Sequence, residues 1–422
     1  MKDVCAIVLA AGKGKRMKSD IPKVLHHVGG VPMVLLVLNA LKKAGIKKIV
    51  VIVGFEADSV KKVLPDDVSV INQGEPLGTG HAVLCANNLL SRFKGNIIVT
   101  CGDMPLVKTS TYKDLIKTHR KYNASCTVMT GVIDNPAGYG RIVRSSNGSV
   151  LKICEDKDSS QDIKSIKEIN SGTYCFNAED LFRVLPLVGR KNKQGEFYLT
   201  DTVDILVKKG YIVRALCCSE KEEVYGISSR KDLAYVQSIM NKRILDMHMD
   251  NGVTIVDPAN THIDIRAKIG KDTVINPFTV IDGDVTIKSH CEVGPFTHLR
   301  DKTFLEDKAE IGNFVEVKKT RVGSHTKAKH LTYLGDTVIG KNANIGAGTI
   351  TANYDGKNKY QTTIKDKAFI GSGTILVAPV SVGKHSVTGA GSVVVRNKNV
   401  PDNTVVVGVP AKILKKIITN DK

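Results

Sequence analysis

From Gly252 onward an aliphatic residue returns at every sixth position: Ile263, Ile269, Ile275, Ile281, Ile287, Val293, Leu299, Leu305, Ile311 and Val317. Helices repeat at about 3.6 residues and strands at 2, so neither explains this spacing. The register resumes at Ile339 and Ile345 and again at Ile364, Ile370, Leu376 and Val382, often with Gly directly after the aliphatic residue. A chain wound as a prism with three flat faces of about six residues buries one such residue per face and fits small residues at its corners. The pattern therefore predicts a parallel β-helix of hexapeptide repeats over residues 251–422. A β-sandwich would need period two and hairpin turn signals, which are missing. The register breaks between Thr351 and Thr363, where Asn353-Tyr354-Asp355-Gly356 and several lysines are inserted. A solenoid usually puts such an insertion to functional use.

The first half has a different texture. Short apolar runs at 5–10, 49–53 and 97–101 read as buried strands, and the apolar spacing over 33–44 reads as a helix. This is the βαβ rhythm of a mostly parallel sheet covered on both faces, an α/β domain over residues 1–226. Across 227–250, Leu233, Val236, Ile239, Met240, Ile244 and Met247 recur at helical spacing, and Asn251-Gly252 supplies a stop. We read a linker helix there.

With 61 Lys and Arg against 42 Asp and Glu, the formal net charge of +19 points to anionic partners. The lysines are dispersed, no arginine-rich arm exists and Trp is absent, so phosphorylated small molecules are expected and nucleic acid is not. Nine cysteines, an odd number without a C-x-x-C pair, suggest neither a zinc site nor a disulfide framework. They read as reduced thiols of a cytoplasmic protein. The apolar run 4–11 follows Asp3 and precedes Lys13, Lys15 and Arg16, which suits a buried strand better than a signal peptide. No apolar run is long enough to span a membrane, and no membrane partner is expected.

The first strand runs into Ala11-Gly12-Lys13-Gly14-Lys15-Arg16-Met17, a small-residue loop with strong cations, where a phosphate belongs. It is neither the dinucleotide fingerprint, since Met17 occupies the third glycine position, nor a P-loop. Its company narrows the reading: Leu9-Ala10-Ala11-Gly12, then Pro22-Lys23-Val24-Leu25, Gln73, Leu77-Gly78-Thr79-Gly80, and Gly102-Asp103 after a buried strand. Together these segments resemble the sugar-1-phosphate nucleotidyltransferases, whose first domain is Rossmann-like. The resemblance implies that Leu9, Ala10, Ala11 and Gly12 cradle a triphosphate and that Arg16 and Lys23 are the catalytic cations on it. It further implies Gln73, Gly78 and Thr79 around a uracil and ribose. Such cations suit a reaction in which one anion must attack another. Asp103, at a strand end, is the implied ligand of Mg²⁺, a hard ion satisfied by one or two carboxylates plus phosphate oxygens. Where the family has a second ligand, an Asn in V-x-G-V-N-N-R, this chain reads Val224-Tyr225-Gly226-Ile227-Ser228-Ser229-Arg230. Gly140, Glu155 and Asn170 match the segments that hold the N-acetylated sugar.

The second half carries Gly312-Asn313-Phe314-Val315-Glu316, Lys329-His330-Leu331-Thr332-Tyr333-Leu334-Gly335-Asp336, and Asn344-Ile345-Gly346-Ala347-Gly348. With these, nearly the whole chain resembles, in order, the bacterial bifunctional N-acetylglucosamine-1-phosphate uridylyltransferases and glucosamine-1-phosphate acetyltransferases. That resemblance implies a left-handed β-helix, a homotrimer, and acetyl-CoA and UTP as the donors. Its acceptors are glucosamine-1-phosphate and N-acetylglucosamine-1-phosphate, and its product is a precursor of cell-wall polymers. His330 is the implied general base, since an imidazole takes up protons near neutral pH. Arg300, Lys318 and Lys359 are implied for the sugar phosphate, Tyr333 and Asn344 for the sugar, and Glu316 to orient the site. Ala347, Asn353, Tyr354, Ser372 and Ala390 are implied for acetyl-CoA. Some relatives carry an Arg before V-P, but this chain has Gly408-Val409-Pro410-Ala411-Lys412, so a CoA contact there would fall to Lys412 or to none. Two other readings compete: a nucleotidyltransferase whose β-helix only oligomerises, and a basic binding protein for nucleic acid or anionic glycans.

Overall fold

The apolar run near the N-terminus becomes the strand Val4–Ala10, buried along almost its whole length in the middle of a sheet. The computed structural model describes residues 3–417, and the chain divides by contacts into two units, residues 1–239 and 240–422. In the first unit the sheet order is Val213–Cys217, Cys126–Val132, Glu168–Asn177, Asn96–Cys101, Val4–Ala10, Lys48–Val53 and Ser69–Asn72. All neighbours run parallel except Glu168–Asn177, which is antiparallel to both its partners. The hairpin Arg141–Arg144 and Val150–Cys154 joins the sheet through Ile169. Strands of this kind are apolar throughout because helices cover both faces. The helix Met33–Lys43 turns Met33, Val34, Leu36, Val37, Leu38 and Leu41 inward, as its spacing predicts.

The long helix Arg230–Asp250 begins three residues after the expected 227, because Ser229 caps it, and it crosses the division between the units. Ser229 and Asp232 cap it reciprocally. The Ser229 hydroxyl accepts from Asp232 N at 3.2 Å, and the Asp232 carboxylate accepts from Ser229 N at 2.8 Å.

The second unit is the β-helix that the sixfold spacing requires. Two-residue strands pair in parallel with partners one coil away, and an ordinary coil is three hexapeptides long, as from Val274 to Glu292 and on from Glu292 to Glu310. Ile275, Ile281, Ile287, Val293, Leu299, Leu305, Ile311 and Val317 are all buried. A second inward position lies two residues earlier and holds small side chains, among them Thr273, Thr303, Thr326 and Thr349. Their hydroxyls are satisfied by backbone carbonyls: Thr273 donates to Lys288 O at 2.9 Å and Thr326 to Gly340 O at 2.7 Å.

The repeat departs from three full hexapeptides in two ways. Coils lose a residue where Glu310 pairs Lys327 and Glu316 pairs Tyr333, so Val322, Ala328 and Leu334 carry the core between Val317 and Ile339. Across the insertion the step lengthens instead, Asn344 pairing Phe369 and Ile350 pairing Ile375. All nine cysteines are free. Among the described residues no helix is long and apolar enough to cross a membrane.

Leu299 is fully buried, so Leu299→Ala should leave a cavity and cost about 3 kcal/mol in urea unfolding of the β-helix. A loss below about 0.5 kcal/mol would mean that this column is not a packed core.

Candidate active sites

Parallel strands deliver their carboxyl ends to one edge of a sheet, and that edge is where the first candidate site forms. Leu9 and Ala10 end one strand, Gln73 follows Ser69–Asn72, and Cys101 and Asp103 lie at the end of Asn96–Cys101. With Ala11, Gly12, Lys13, Gly14, Lys15, Lys23, Gly78, Thr79 and Glu196 they line a cleft of about 460 Å³. Two glycines are required by the close approach of backbone. Gly14 has φ +65°, and a Cβ there would meet the Lys23 Cβ at 2.8 Å; Gly78 has φ +114°, and a Cβ there would meet the Phe197 carbonyl oxygen at 2.6 Å.

Charge in this cleft is paired. The Lys23 ammonium is hydrogen-bonded to the Asp103 carboxylate, both groups being largely buried. Burial alone would lower the Lys23 pKa, but the charge and hydrogen bond of Asp103 outweigh it and hold the ammonium above its ordinary value. Gln73 is buried, and its amide nitrogen donates to the Gly78 carbonyl at 3.0 Å and approaches His81 Nδ1 at 3.2 Å. The backbone N–H of Ile227 donates to the Asp103 carbonyl at 3.0 Å, and a Cβ on Gly226 would lie 3.9 Å from Asp103 Oδ1. The segment carrying Ser228 is thus held beside Asp103.

Arg16 is the exception among the expected cleft residues. Lys15–Met17 form one 3-10 turn, whose three side chains point about 120° apart. Met17 takes the inward direction and Lys15 the cleft, which leaves Arg16 exposed and outside the lining. Its charge is still felt by Lys23.

Gly140, Glu155 and Asn170 come together as a second group. Asn170 N donates to Gly140 O at 2.9 Å, and a Cβ on Gly140 would stand 3.6 Å from both Glu155 Oε1 and Asn170 Cβ. Asn170 is locked from both ends, donating to the Tyr174 hydroxyl at 2.7 Å and accepting from Gly172 N at 3.0 Å. Gly172 also links this group to the cleft, since its carbonyl lies 3.9 Å from the Cys101 thiol. Glu155 accepts from the Thr200 hydroxyl at 3.0 Å. Burial first, and then Asp201, Asp158 and Asp156, raise its pKa despite that bond. With Asp158, Asp201, Asp204 and Tyr198 it also lines a cavity of about 220 Å³.

On the β-helix, Arg300 Nη1 donates to Glu316 Oε1 at 2.6 Å. The charges of Arg300 and then Lys359 hold the Lys318 ammonium below its ordinary value, which puts three cations in one neighbourhood. Tyr333 stands in register with Glu316 on the next coil, its ring leaning over Gly335 toward Asn353. Asn353 itself is buried and donates to the Asp336 carboxylate. It is thereby held beside Tyr333 and Asp336, where the inserted loop folds back over the coil that precedes it. Tyr354, in the same loop, is exposed.

His330 lies elsewhere on the prism, in register with Asn313 at an edge. It lines a groove of about 200 Å³ with Glu292, Pro295, Glu310, Gly312, Asn313 and Lys329. The next coil positions along that edge are Ala347, Ser372 and Ala390, each followed by a glycine, and backbone bonds connect them: Gly373 N to Ala347 O and Gly391 N to Ser372 O, both 2.7 Å. Below His330 the adjoining corner is aromatic instead, with Phe278, Phe296 and Phe314 exposed and their rings stacked at 4.9 and 5.0 Å. Asn344 pairs with Lys327 and Phe369, while Tyr333 pairs with Ile350. The expected partners Asn344 and Tyr333 thus stand on different faces, because the coil brings Asn344 back over Lys327 and not over Tyr333. Lys412 is exposed on the strand Lys412–Lys416, the last element described.

The sequence reading placed Lys13 and Lys15 only in a phosphate loop, without a role of their own, and it missed Glu196 in the cleft and Glu310 beside His330. Asp158 and Asp201 beside Glu155 were missed as well. The phenylalanine column was legible in principle, since Phe278, Phe296 and Phe314 recur at every third hexapeptide.

A profile described as nucleotidyl transferase matches residues 5–224, and one described as bacterial transferase hexapeptide (six repeats) matches residues 266–301. The chain is 45% identical to the bifunctional protein GlmU of Geobacillus sp. (strain WCH70), over 94% of each chain. It is 42% identical to that of Carboxydothermus hydrogenoformans, over 97% of this chain and 98% of the relative. The protein of that name from Clostridioides difficile is also 42% identical, over 97% and 96% respectively.

The raised pKa of Glu155 has a consequence for stability. The folded chain binds that proton more tightly than the unfolded chain, so the stability it contributes is complete below the ordinary Glu value of about 4.3 and is lost as pH rises through the folded value. Glu155→Gln keeps an acceptor for Thr200 without the charge. Calorimetry should find the variant melting above the wild type near neutral pH, with the gap closing at about pH 4. An equal gap at both pH values would contradict the assignment.

Proposed function

The chain belongs to the family of bifunctional GlmU proteins, and from that membership we propose how its residues divide two reactions. It is a bifunctional transferase of UDP-N-acetylglucosamine synthesis. The β-helix transfers an acetyl group from acetyl-CoA to glucosamine-1-phosphate, and the first unit transfers UMP from UTP to N-acetylglucosamine-1-phosphate with release of pyrophosphate. The observation that carries the division is that each unit has its own cation-bearing site: Lys23 with Asp103 in the first, and Arg300, Lys318 and Lys359 beside Tyr333 in the second.

In the uridylyl transfer a phosphate oxygen of the acceptor bonds to the α-phosphorus of UTP as the bond to the β-phosphate bridging oxygen breaks. Lys23, with Lys13 and Lys15 from the loop, offsets the charge that develops, and Arg16 adds its charge from outside the cleft. Gln73 offers its amide oxygen to the uracil N3–H, its nitrogen already being committed to Gly78. Gly140, Glu155 and Asn170 hold the sugar. Asp103 suits Mg²⁺, as one hard carboxylate facing a cleft in which phosphates supply the remaining oxygens, with Ser228 nearby as a weaker donor. The ion would neutralise phosphate charge.

In the acetyl transfer His330 takes a proton from the substrate ammonium, the free amine attacks the thioester carbonyl, and CoA leaves as the thiol. Ala347, Ser372 and Ala390 form a low shelf along the same edge on which the pantetheine arm lies, and Asn353 and Tyr354 of the inserted loop reach it from a neighbouring copy. Arg300, Lys318 and Lys359 bind the sugar phosphate, and Tyr333 and Asn344 the sugar.

One copy does not bring these groups together. Tyr333 and Asn344 stand on different faces, and His330 lies at an edge separated from Lys318 by the corner at Phe314, where φ is +55°. We infer a homotrimer in which the His330 edge of one copy faces the cation cluster of the next, the exposed Phe278–Phe296–Phe314 column being covered there. The free thiols support a reducing compartment, the cytoplasm.

Asp103→Ala should abolish UTP-dependent pyrophosphate release while sparing acetyl transfer, and His330→Ala should abolish release of free CoA thiol while sparing the first reaction. Loss of both activities together in a still-folded variant would sink the two-site reading. Light scattering of the purified chain should return three copies, and a monomer active in acetyl transfer would contradict the shared site.

A further inference from the structure

Arg141 is among the largest fully buried side chains, only 2% exposed. Its guanidinium donates to the Tyr139 carbonyl and, at 3.5 Å, to the Lys164 carbonyl, and it lies 3.2 Å from the Asp156 carboxylate. Its Nε, also buried, has no partner. A buried cation with one carboxylate and an orphaned N–H is a costly way to fill a core, and an apolar side chain of similar volume is often the more stable choice. The partners suggest what offsets that cost. Tyr139 precedes Gly140, Asp156 follows Glu155, and Asn170 is bonded to Gly140 O at 2.9 Å. One planar group therefore ties the two separate segments that carry Gly140 and Glu155, each one residue from the proposed sugar contacts. Lysine, with a single point of charge, cannot hold two carbonyls and a carboxylate in fixed directions.

We propose that Arg141 is a positioning residue for the acceptor, fixing the spacing between Gly140 and Glu155 and so the affinity for the sugar phosphate, without touching it. This rests on the assignment of Gly140, Glu155 and Asn170 to the sugar. Displacing a binding group by about 1 Å can cost up to about 100-fold, so in the full-length chain Arg141→Lys should raise KM for N-acetylglucosamine-1-phosphate by about 10-fold or more. KM for UTP and the rate of acetyl transfer should stay within about 2-fold of wild type, since their sites lack this contact. Arg141→Met, which removes the buried charge, should show the same selective loss even if it melts as high as the wild type. Asp156→Asn, which keeps the guanidinium, should show a smaller one.

The proposal is overturned if Arg141→Lys has a wild-type acceptor KM, or if both KM values rise together as the melting temperature falls. If the two Arg141 variants do not fold, an unchanged acceptor KM in Asp156→Asn overturns it. A wild-type chain that turns over UTP with other sugar phosphates but not with N-acetylglucosamine-1-phosphate would overturn the sugar-site reading itself.

Discussion

The β-helix depends on stacking between successive coils, where buried aliphatic residues and Thr hydroxyls on backbone carbonyls fix how far the chain must travel before it returns above itself. Once that distance is three hexapeptides, position in the coil determines position on the prism, and residues far apart in sequence form straight columns. The phenylalanine column is one product of this rule. The Ala347, Ser372 and Ala390 shelf is another, although the insertion lies between its first two members.

The same rule explains where chemistry accumulates. Lys318, His330, Tyr333 and Asp336 all lie in the stretch where coils are one residue short, and Lys359 lies in the insertion that lengthens the next step. A regular coil presents the same few outward directions at every level, whereas a shortened corner and a loop folded back on it let cations from different coils converge. The core tolerates this because Val322, Ala328 and Leu334 keep the inward column filled through the irregular turns.

How much was legible in the sequence follows from what each feature depends on. The period-six core and the buried strands rest on local patterning, which a single chain displays directly. The glycine loop with Lys23, Gln73 and Asp103 was readable because parallel strands bring their ends to one edge, wherever they fall in the chain. Arg16 departs from expectation because its direction is set by Met17, one residue away, inside a turn too short to leave a periodic signal. The faces on which Asn344 and Asn353 lie were not legible, because a shortened coil and a folded-back loop set them, and the shortening at Val317 to Val322 is a single missing residue. Arg141 gave no sign of its burial, since an arginine in a hairpin is ordinarily exposed.

The excess of positive charge also divides according to what each site must accept. In the first unit Lys23 already has Asp103 as its counter-charge. On the proposed reading the phosphates of a triphosphate would take over the ammonium, and a divalent ion held by Asp103 would take over the carboxylate. On the β-helix the balance is different: Arg300 has Glu316, but Lys318 stands beside Arg300 and Lys359, and their mutual repulsion depresses its pKa. Such a cluster favours the approach of an anion. The sugar phosphate proposed for this corner, carrying close to two negative charges, would relieve that repulsion, so the charges that crowd three cations here would favour its binding.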